Sequence, residues 1–255
     1  MLSTLRNQIR KVETARQPQA SAISSGVSSL DDVLPQKGYP PGSLVEWIDS
    51  GQAGGAAWLS LLGAARAYKH SGNKVVILDP DRTFYPPAAI ACGLPAEAMI
   101  LLQPQSSDDL IWAMDQSLRS SAVSAVWGKL DRLEDIDARR LQLAAETGGT
   151  LGMLLRPAKA IGQPSWAEVR WHVHGVPAPT DRTSPWKTSH GDRLLSVRLL
   201  RARGASAGEH FWLQIDPQSR ITRRECLHDS KSAQHLAAEL AHPKAAGRRQ
   251  QARRA

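Results

Sequence analysis

The stretch Leu44-Val45-Glu46-Trp47-Ile48-Asp49-Ser50-Gly51-Gln52-Ala53-Gly54-Gly55-Ala56 runs from a short β-prone segment through a glycine-rich turn into a helix. The helical pattern continues to about His70, with Trp58, Leu61, Leu62 and Ala65 as its apolar stripe. Such a strand–turn–helix is the opening of a βα unit, and the same unit recurs downstream. After Ser71-Gly72-Asn73 comes Val75-Val76-Ile77-Leu78, the pattern of a strand covered on both faces. Met99-Ile100-Leu101-Leu102 reads the same way. Ser106-Ser107-Asp108-Asp109 carries helix-start chemistry before Leu110, Ile111, Met114 and Leu118. A strand over Ala122–Trp127, a helix over Leu133–Thr147 ended by Gly148-Gly149, and a strand over Thr150–Leu155 follow. Strands spaced by helices imply right-handed crossovers and a mainly parallel sheet.

Beyond Pro157 the rhythm changes to strands without helices. Glu168–His174 alternates Val169, Trp171 and Val173 against Arg170, His172 and His174. Leu194–Leu200 and His210–Ile215 come next, and the three read as antiparallel additions at the sheet's edge. No internal repeat is present.

Composition narrows the class. Of 255 residues, 42% are apolar and 22% charged, which excludes a wholly disordered or collagenous chain. No run approaches the ~18 uncharged apolar residues of a membrane-spanning helix. Met1–Arg16 has Arg6, Arg10, Lys11 and Arg16 but no apolar segment after them, so it is not read as a secretory signal. The only cysteines, Cys92 and Cys226, are too few for a disulfide framework, and a reducing cytoplasm is the expected location. A net charge of +8 invites a polyanion or an acidic partner.

The termini differ from the middle. Leu2, Leu5, Ile9 and Val12 recur at helical spacing among cations, predicting an amphipathic helix, with Gln17–Ser25 as a linker. After Pro243 come Lys244, Arg248, Arg249, Arg253 and Arg254 with no acidic residue, a tail expected to be disordered when free. A helix over Ala233–Ala241 would present Leu236 and Leu240 as i, i+4 anchors, and with the tail's cations these are the candidate partner-binding residues. The organisation expected is an N-terminal helix and linker (1–20), a core domain (21–216) and a C-terminal helix with basic tail (217–255).

The first βα turn is where a phosphate loop would lie. A working loop reads G-x-x-x-x-G-K-[ST]: glycines wrap the phosphates, Lys neutralises them, and the hydroxyl holds Mg²⁺. With Gly54 at the second glycine, Asp49 stands at the first, Gly55 at the Lys and Ala56 at the hydroxyl position, with Gly51 inside the turn. The loop shape is there and the charged chemistry is missing. No nucleotide cofactor and no catalysis are expected, because phosphoryl transfer relies on the Lys and the metal.

Here the chain resembles the RecA-like core, a P-loop NTPase fold, and within it the ImuA family. The resemblance is carried by Ser25-Gly26-Val27-Ser28-Ser29-Leu30-Asp31-Asp32-Val33-Leu34-Pro35 and by Lys37-Gly38-Tyr39-Pro40-Pro41-Gly42-Ser43-Leu44-Val45-Glu46. It continues through Val75–Asp81 with Tyr85-Pro86, Cys92-Gly93-Leu94-Pro95 and Leu101-Leu102-Gln103-Pro104. Arg139-Arg140-Leu141-Gln142-Leu143-Ala144-Ala145-Glu146 followed by Gly149 is the most ImuA-like segment. Asp81 falls where RecA has its catalytic acid, but the Ala122–Trp127 strand runs into Gly128-Lys129 instead of a metal-binding Asp. The two loops by which RecA holds single-stranded DNA are shortened or unrecognisable. Arg201 and Arg203 fall near the basic pair that crosses the RecA filament interface; the plainer reading is solvated arginines on an edge strand.

The resemblance implies a non-catalytic accessory factor of SOS-induced translesion DNA synthesis and mutagenesis. It would act as a scaffold for an ImuB-like Y-family protein and an error-prone replicative-type DNA polymerase, with RecA a further candidate and DNA contacts weak or indirect. The alternatives are a SulA-like inhibitor of cell division, a RecA-type ATPase, or a DNA-binding protein acting through its tail.

Other constellations have plain readings. His172 and His174 share one strand face with no third ligand in sequence reach, so a polar face is expected rather than zinc. Ser60, Ser107 and Cys92 lack a nucleophile motif, and Cys92 is expected to be buried. Trp47, Trp58, Trp112 and Trp127 are expected to pack in the core. Trp166, Trp186 and Trp212 lie near Arg182, Lys187 and Arg193, where exposed rings would stack on bases.

Overall fold

The computed structural model describes residues 21–50, 54–176, 191–205 and 207–225. The predicted N-terminal helix, Trp186 with Arg182 and Lys187, Cys226, and the C-terminal helix and basic tail lie outside these residues.

The elements are α1 (Ser28–Asp31), β1 (Leu44–Asp49), α2 (Gly55–Ser71), β2 (Lys74–Leu78), α3 (Pro86–Ala91), β3 (Met99–Leu102), α4 (Ser107–Arg119), β4 (Val123–Lys129), α5 (Asp135–Gly148), β5 (Leu151–Pro157), β6 (Val169–Val176), β7 (Arg193–Ala202), β8 (His210–Ile215) and β9 (Ile221–Glu225). Among the described residues they build a nine-stranded sheet in the order β3-β2-β4-β5-β1-β6-β7-β8-β9. Strands β1 to β6 are mutually parallel, whereas β7 is antiparallel to β6 and β8 to β7. This is the mainly parallel α/β sheet that the alternation of strands and helices predicts, and it is consistent with the RecA-like fold that the resemblance implies.

Residue alternation along the strands makes two cores. Val45, Trp47, Val75, Ile77, Ala125, Met153 and Trp171 face α2, with Leu195, Val197 and Phe211 extending that layer under β7 and β8. Leu44, Val76, Leu78, Val126 and Leu154 face α4 and α5, which supply Leu110, Met114, Leu118, Leu141, Ala144 and Ala145. Buried indoles find partners, as their single N–H demands. Trp47 stacks on Trp171 at 6.0 Å between ring centroids. Trp171 Nε1 donates to Tyr39 Oη (3.1 Å), and Trp127 Nε1 donates to Ser60 Oγ (2.7 Å).

Helix ends follow local chemistry. Ser106 caps α4 by accepting the Asp109 N–H at 3.0 Å, and α5 closes on Gly149 at φ 69°. Gly148 is required by packing, since a Cβ there would sit 2.1 Å from the carbonyl oxygen of Leu118.

Three expectations change. Among the described residues β3 is an edge strand, not one covered on both faces: it pairs only with β2 there, and Ile100 and Leu101 are 42% and 45% exposed. A continuous apolar run does not reveal whether a second neighbour exists. β6 joins β1 in parallel, so the antiparallel additions begin at β7. Trp112 is not a core residue: it is 60% exposed on the outer side of α4, opposite Leu110, Met114 and Leu118. The short helices α1 and α3 and the strand β9 carry too few periodic residues to have been read.

Candidate functional site

β1 ends at Asp49 beside the carboxyl ends of β5 and β6, the place where parallel sheets hold ligands. Gly54 caps α2 in the left-handed region at φ 61°, and Gly55 and Ala56 form the helix's buried first turn. The residues of the degenerate loop that are described thus stand where a phosphate loop would, while Gly51 lies outside the described residues.

The surroundings of Gly55, at the lysine position, are apolar. A Cβ on Gly55 would meet Leu195 Cδ2 at 2.5 Å and Cδ1 at 2.9 Å. Leu195 comes from β7, more than a hundred residues away in sequence, and is itself buried. Ala56 is fully buried in the same core, so its methyl contacts side chains instead of a metal-bound water.

The acidic residues nearby are engaged. Asp81 receives the Lys129 ammonium at 2.8 Å, and that hydrogen bond raises the Lys129 pKa against the opposing effect of desolvation. Lys129, the last residue of β4, thus neutralises the carboxylate of Asp81. Asp79 is buried and accepts the Thr83 and Phe84 N–H groups, both at 3.0 Å, which turns the chain after β2.

A second cluster lies on the sheet face that α4 and α5 leave open. Ser50 Oγ is 2.7 Å from His172 Nε2 and 3.4 Å from His174 Nδ1. Pairing places Arg198 opposite His172 and His210 opposite Arg198, and His210 Nε2 is 2.8 Å from Ser196 Oγ. Desolvation lowers the His172 pKa, and the charges of His174, Arg198 and His210 push the same way against Asp49. Only the alternation of His172 and His174 was legible beforehand; the topology adds Ser50, Arg198 and His210. Among the described residues no group of three or more His, Cys, Asp or Glu is arranged to hold a metal ion.

Sequence reasoning missed a buried ion pair beside this cluster. Arg170 Nε donates to Glu46 Oε2 at 2.7 Å, and its other nitrogens donate to the Ala160 and Gln163 carbonyls. Buried Arg156 donates to Gln163 Oε1 at 2.9 Å, and desolvation lowers its pKa. Charged residues inside strand patterns were the available signal. These contacts fasten the short β5–β6 connection onto the sheet.

The other expected residues are placed plainly. Arg201 donates to the Ser165 carbonyl, and Arg203 lies 3.6 Å from Glu168. Cys92 is half-buried, its thiol pushed up to about 11 by burial. Trp166 sits under Arg139 at 5.2 Å, whereas Arg193 lies over Trp58. Leu236, Leu240, Lys244, Arg248, Arg249, Arg253 and Arg254 lie outside the described residues. Among the described residues no helix is long and apolar enough to cross a membrane.

Known proteins resemble this chain in sequence. The ImuA protein of Caulobacter vibrioides is 26% identical over 210 residues, covering 77% of this chain and 85% of that protein. The chain is similar to ImuA along most of its length and to RecA along part of it. No family model matches it. The cell division inhibitor SulA of Photorhabdus laumondii is 34% identical over 105 residues, 40% of this chain and 59% of that protein. RecA of Corynebacterium diphtheriae is 26% identical over 118 residues, 46% of the chain and 31% of that protein. The SulA and RecA matches therefore span less than two thirds of those relatives, whereas the ImuA match spans most of both chains.

Proposed function

We propose that this chain is a non-catalytic RecA-like accessory factor of SOS-induced translesion DNA synthesis and mutagenesis. In this reading it is a scaffold for an ImuB-like Y-family protein and an error-prone replicative-type polymerase, working in the cytoplasm without nucleotide. The observation that carries the reading is Leu195 packed against Gly55, the residue that stands at the lysine position, at the start of the helix after β1. A loop with glycine where the phosphate-binding cation belongs, packed against a buried leucine, suits a surface for proteins better than a phosphoryl-transfer site. The extent of the ImuA likeness points the same way.

The test is reconstitution. The purified full chain should bind the ImuB-like protein from its own genome in calorimetry, and deleting its gene should abolish damage-induced mutagenesis without reducing survival by recombination. The SulA match favours one rival, a division inhibitor. Binding to the cell-division GTPase with no affinity for the ImuB-like protein would replace the first reading with that one.

A further inference from the structure

Beyond β1 the sheet face that carries α4 and α5 loses its apolar layer. No residue of β6, β7 or β8 belongs to the core beneath those helices, while Val173, Val197 and Phe211 point into the opposite core. Alternation therefore turns His172, Arg198 and His210 to the open face, and strand pairing sets them side by side across three strands. Neighbouring strands lie about 4.8 Å apart, so this row spans about 10 Å, wider than one phosphate group. A second row beside it holds His174, Ser196 and Trp212. Ser50, just after β1, reaches both rows through His172 (2.7 Å) and His174 (3.4 Å). His174, Arg198 and His210 are exposed, and His172, Ser196 and Trp212 are half-buried.

The acids near this strip are already engaged. Glu46 pairs with Arg170 at 2.7 Å, Glu168 with Arg203 at 3.6 Å and Asp216 with Arg220 at 3.6 Å. Buried Asp192 accepts Gln214 Nε2 at 2.7 Å, and the same Gln214 accepts Arg224 Nε at 3.0 Å, which brings a further guanidinium to the strip's edge. Glu209 precedes His210 and alternates to the other face. Arg198 has no carboxylate partner among the described residues. The field at His172 registers the excess: after desolvation, the charges of His174 and Arg198 do most to lower its pKa, His210 adds to them, and Asp49 opposes them.

We infer that this strip binds the phosphate backbone of single-stranded nucleic acid, with Arg198, His172, His174 and His210 on successive phosphates and the Ser50 and Ser196 hydroxyls as further donors. Guanidinium and hydroxyl groups are common donors to phosphate oxygens, and a protonated imidazole offers two N–H groups and a charge. The strip lacks the apolar centre of a protein interface. The chain's own termini would set cations against cations: Arg6, Arg10, Lys11 and Arg16 against Glu13 alone at one end, and an acid-free basic run after Pro243 at the other. A broad sheet does not enter a duplex groove about 12 Å wide. Unpaired bases can lie across it, and Trp212 gives them a ring among the phosphate donors.

The inference stands apart from the accessory reading, because no partner protein enters the measurement. Binding of the full chain to a labelled oligothymidylate about 16 nucleotides long is followed by fluorescence anisotropy, in the parent and in Arg198→Ala/His174→Ala. Each phosphate contact to a single strand adds about 0.7 to the slope of log K against log salt, about fivefold between about 1 M and about 0.1 M salt. The double variant, with an unchanged melting temperature, is expected to bind about 25-fold more weakly at about 0.1 M salt and about pH 6, its slope smaller by about 1.4. Should it melt early, Arg198→Gln alone is expected to lower the slope by about 0.7. A phosphate beside an imidazole favours the protonated ring, so parent binding should tighten as pH falls from about 7.5 to about 5.5, and the variant's should tighten less. Equal affinities of parent and variant overturn the inference, and so does a parent affinity that ignores pH. Binding that survives the double variant but is lost on changing Arg248, Arg249, Arg253 and Arg254 to Gln would belong to the tail and not to the sheet. Tighter binding of a duplex of the same length, or displacement by millimolar inorganic phosphate, would also overturn it.

Discussion

Leu195 of β7 occupies the space that any side chain at residue 55 would need. A Cβ at Gly55 would stand 2.5 Å from Leu195 Cδ2, closer than carbon atoms tolerate. Restoring Gly55→Lys and Ala56→Thr should therefore not restore nucleotide binding, and calorimetry with ATP–Mg²⁺ should show no saturable site in either protein. Gly55→Ala should lower stability by about 1–3 kcal/mol through overpacking. In a Leu195→Ala background the same change should cost far less, a coupling readable as a double-mutant cycle in urea. A saturable ATP hydrolysis rate in the unaltered protein, lost on changing Gly54, would sink the non-catalytic reading.

The Glu46–Arg170 pair offers a second cycle. Both side chains are buried, and the arginine's remaining nitrogens are bound by carbonyls. Glu46→Gln should leave an uncompensated buried cation and cost about 3–5 kcal/mol. Glu46→Leu with Arg170→Met should cost much less, because both charges leave together. Equal losses in the single and double variants would mean that the Ala160 and Gln163 contacts, and not the ion pair, hold the β5–β6 connection.

Apolar runs alone do not separate central from edge strands, but a pair of substitutions does. Val126 lies on β4, flanked by β2 and β5, and is fully buried. Ile100 lies on the edge strand β3. Val126→Asp should remove about 3–5 kcal/mol as an unpaired buried charge, and soluble expression with it. Ile100→Asp should fold with a melting temperature within a few degrees of the parent. Similar damage at both sites would mean that something covers β3.

Much of the fold was legible because helical and strand periods alternate cleanly from Leu44 to Leu155 and each period marks a buried face. The strand His210–Ile215 is bounded in the structure as its alternation predicts. Edge position was not legible at Met99–Leu102, because both faces of the strand look apolar whether or not a neighbour pairs. Trp112 was misplaced because its size argued for the core while its helical phase, opposite Leu110 and Met114, argued for solvent. At the site, the missing lysine was visible at Gly55, but its replacement by Leu195 depends on a contact between β7 and the start of α2 that no local pattern encodes. Ser50 and His210 joined the histidine cluster for the same reason.

The histidine cluster gives the last prediction. His172 is partly buried among Ser50, His174, Arg198 and His210, with Asp49 as the opposing charge, and burial leads the lowering of its pKa. The folded state therefore favours the neutral ring, and between the folded and unfolded pKa values the unfolded chain binds more protons. Stability contributed by neutral His172 is complete above the unfolded value of about 6.5 and declines as pH falls through the folded value. Asp115 does not confuse this window. Desolvation raises its pKa, but the hydrogen bonds and charges of Arg119 and Arg140 outweigh that and hold it below the usual carboxylate value, so it stays ionised. Melting temperature should fall between pH 7 and pH 5, and His172→Gln should reduce that fall while His70→Gln, on an exposed turn of α2, should not. If the two variants lose stability with acid as steeply as the parent, the titrating group is elsewhere. The neutral ring at His172 would then reflect packing alone.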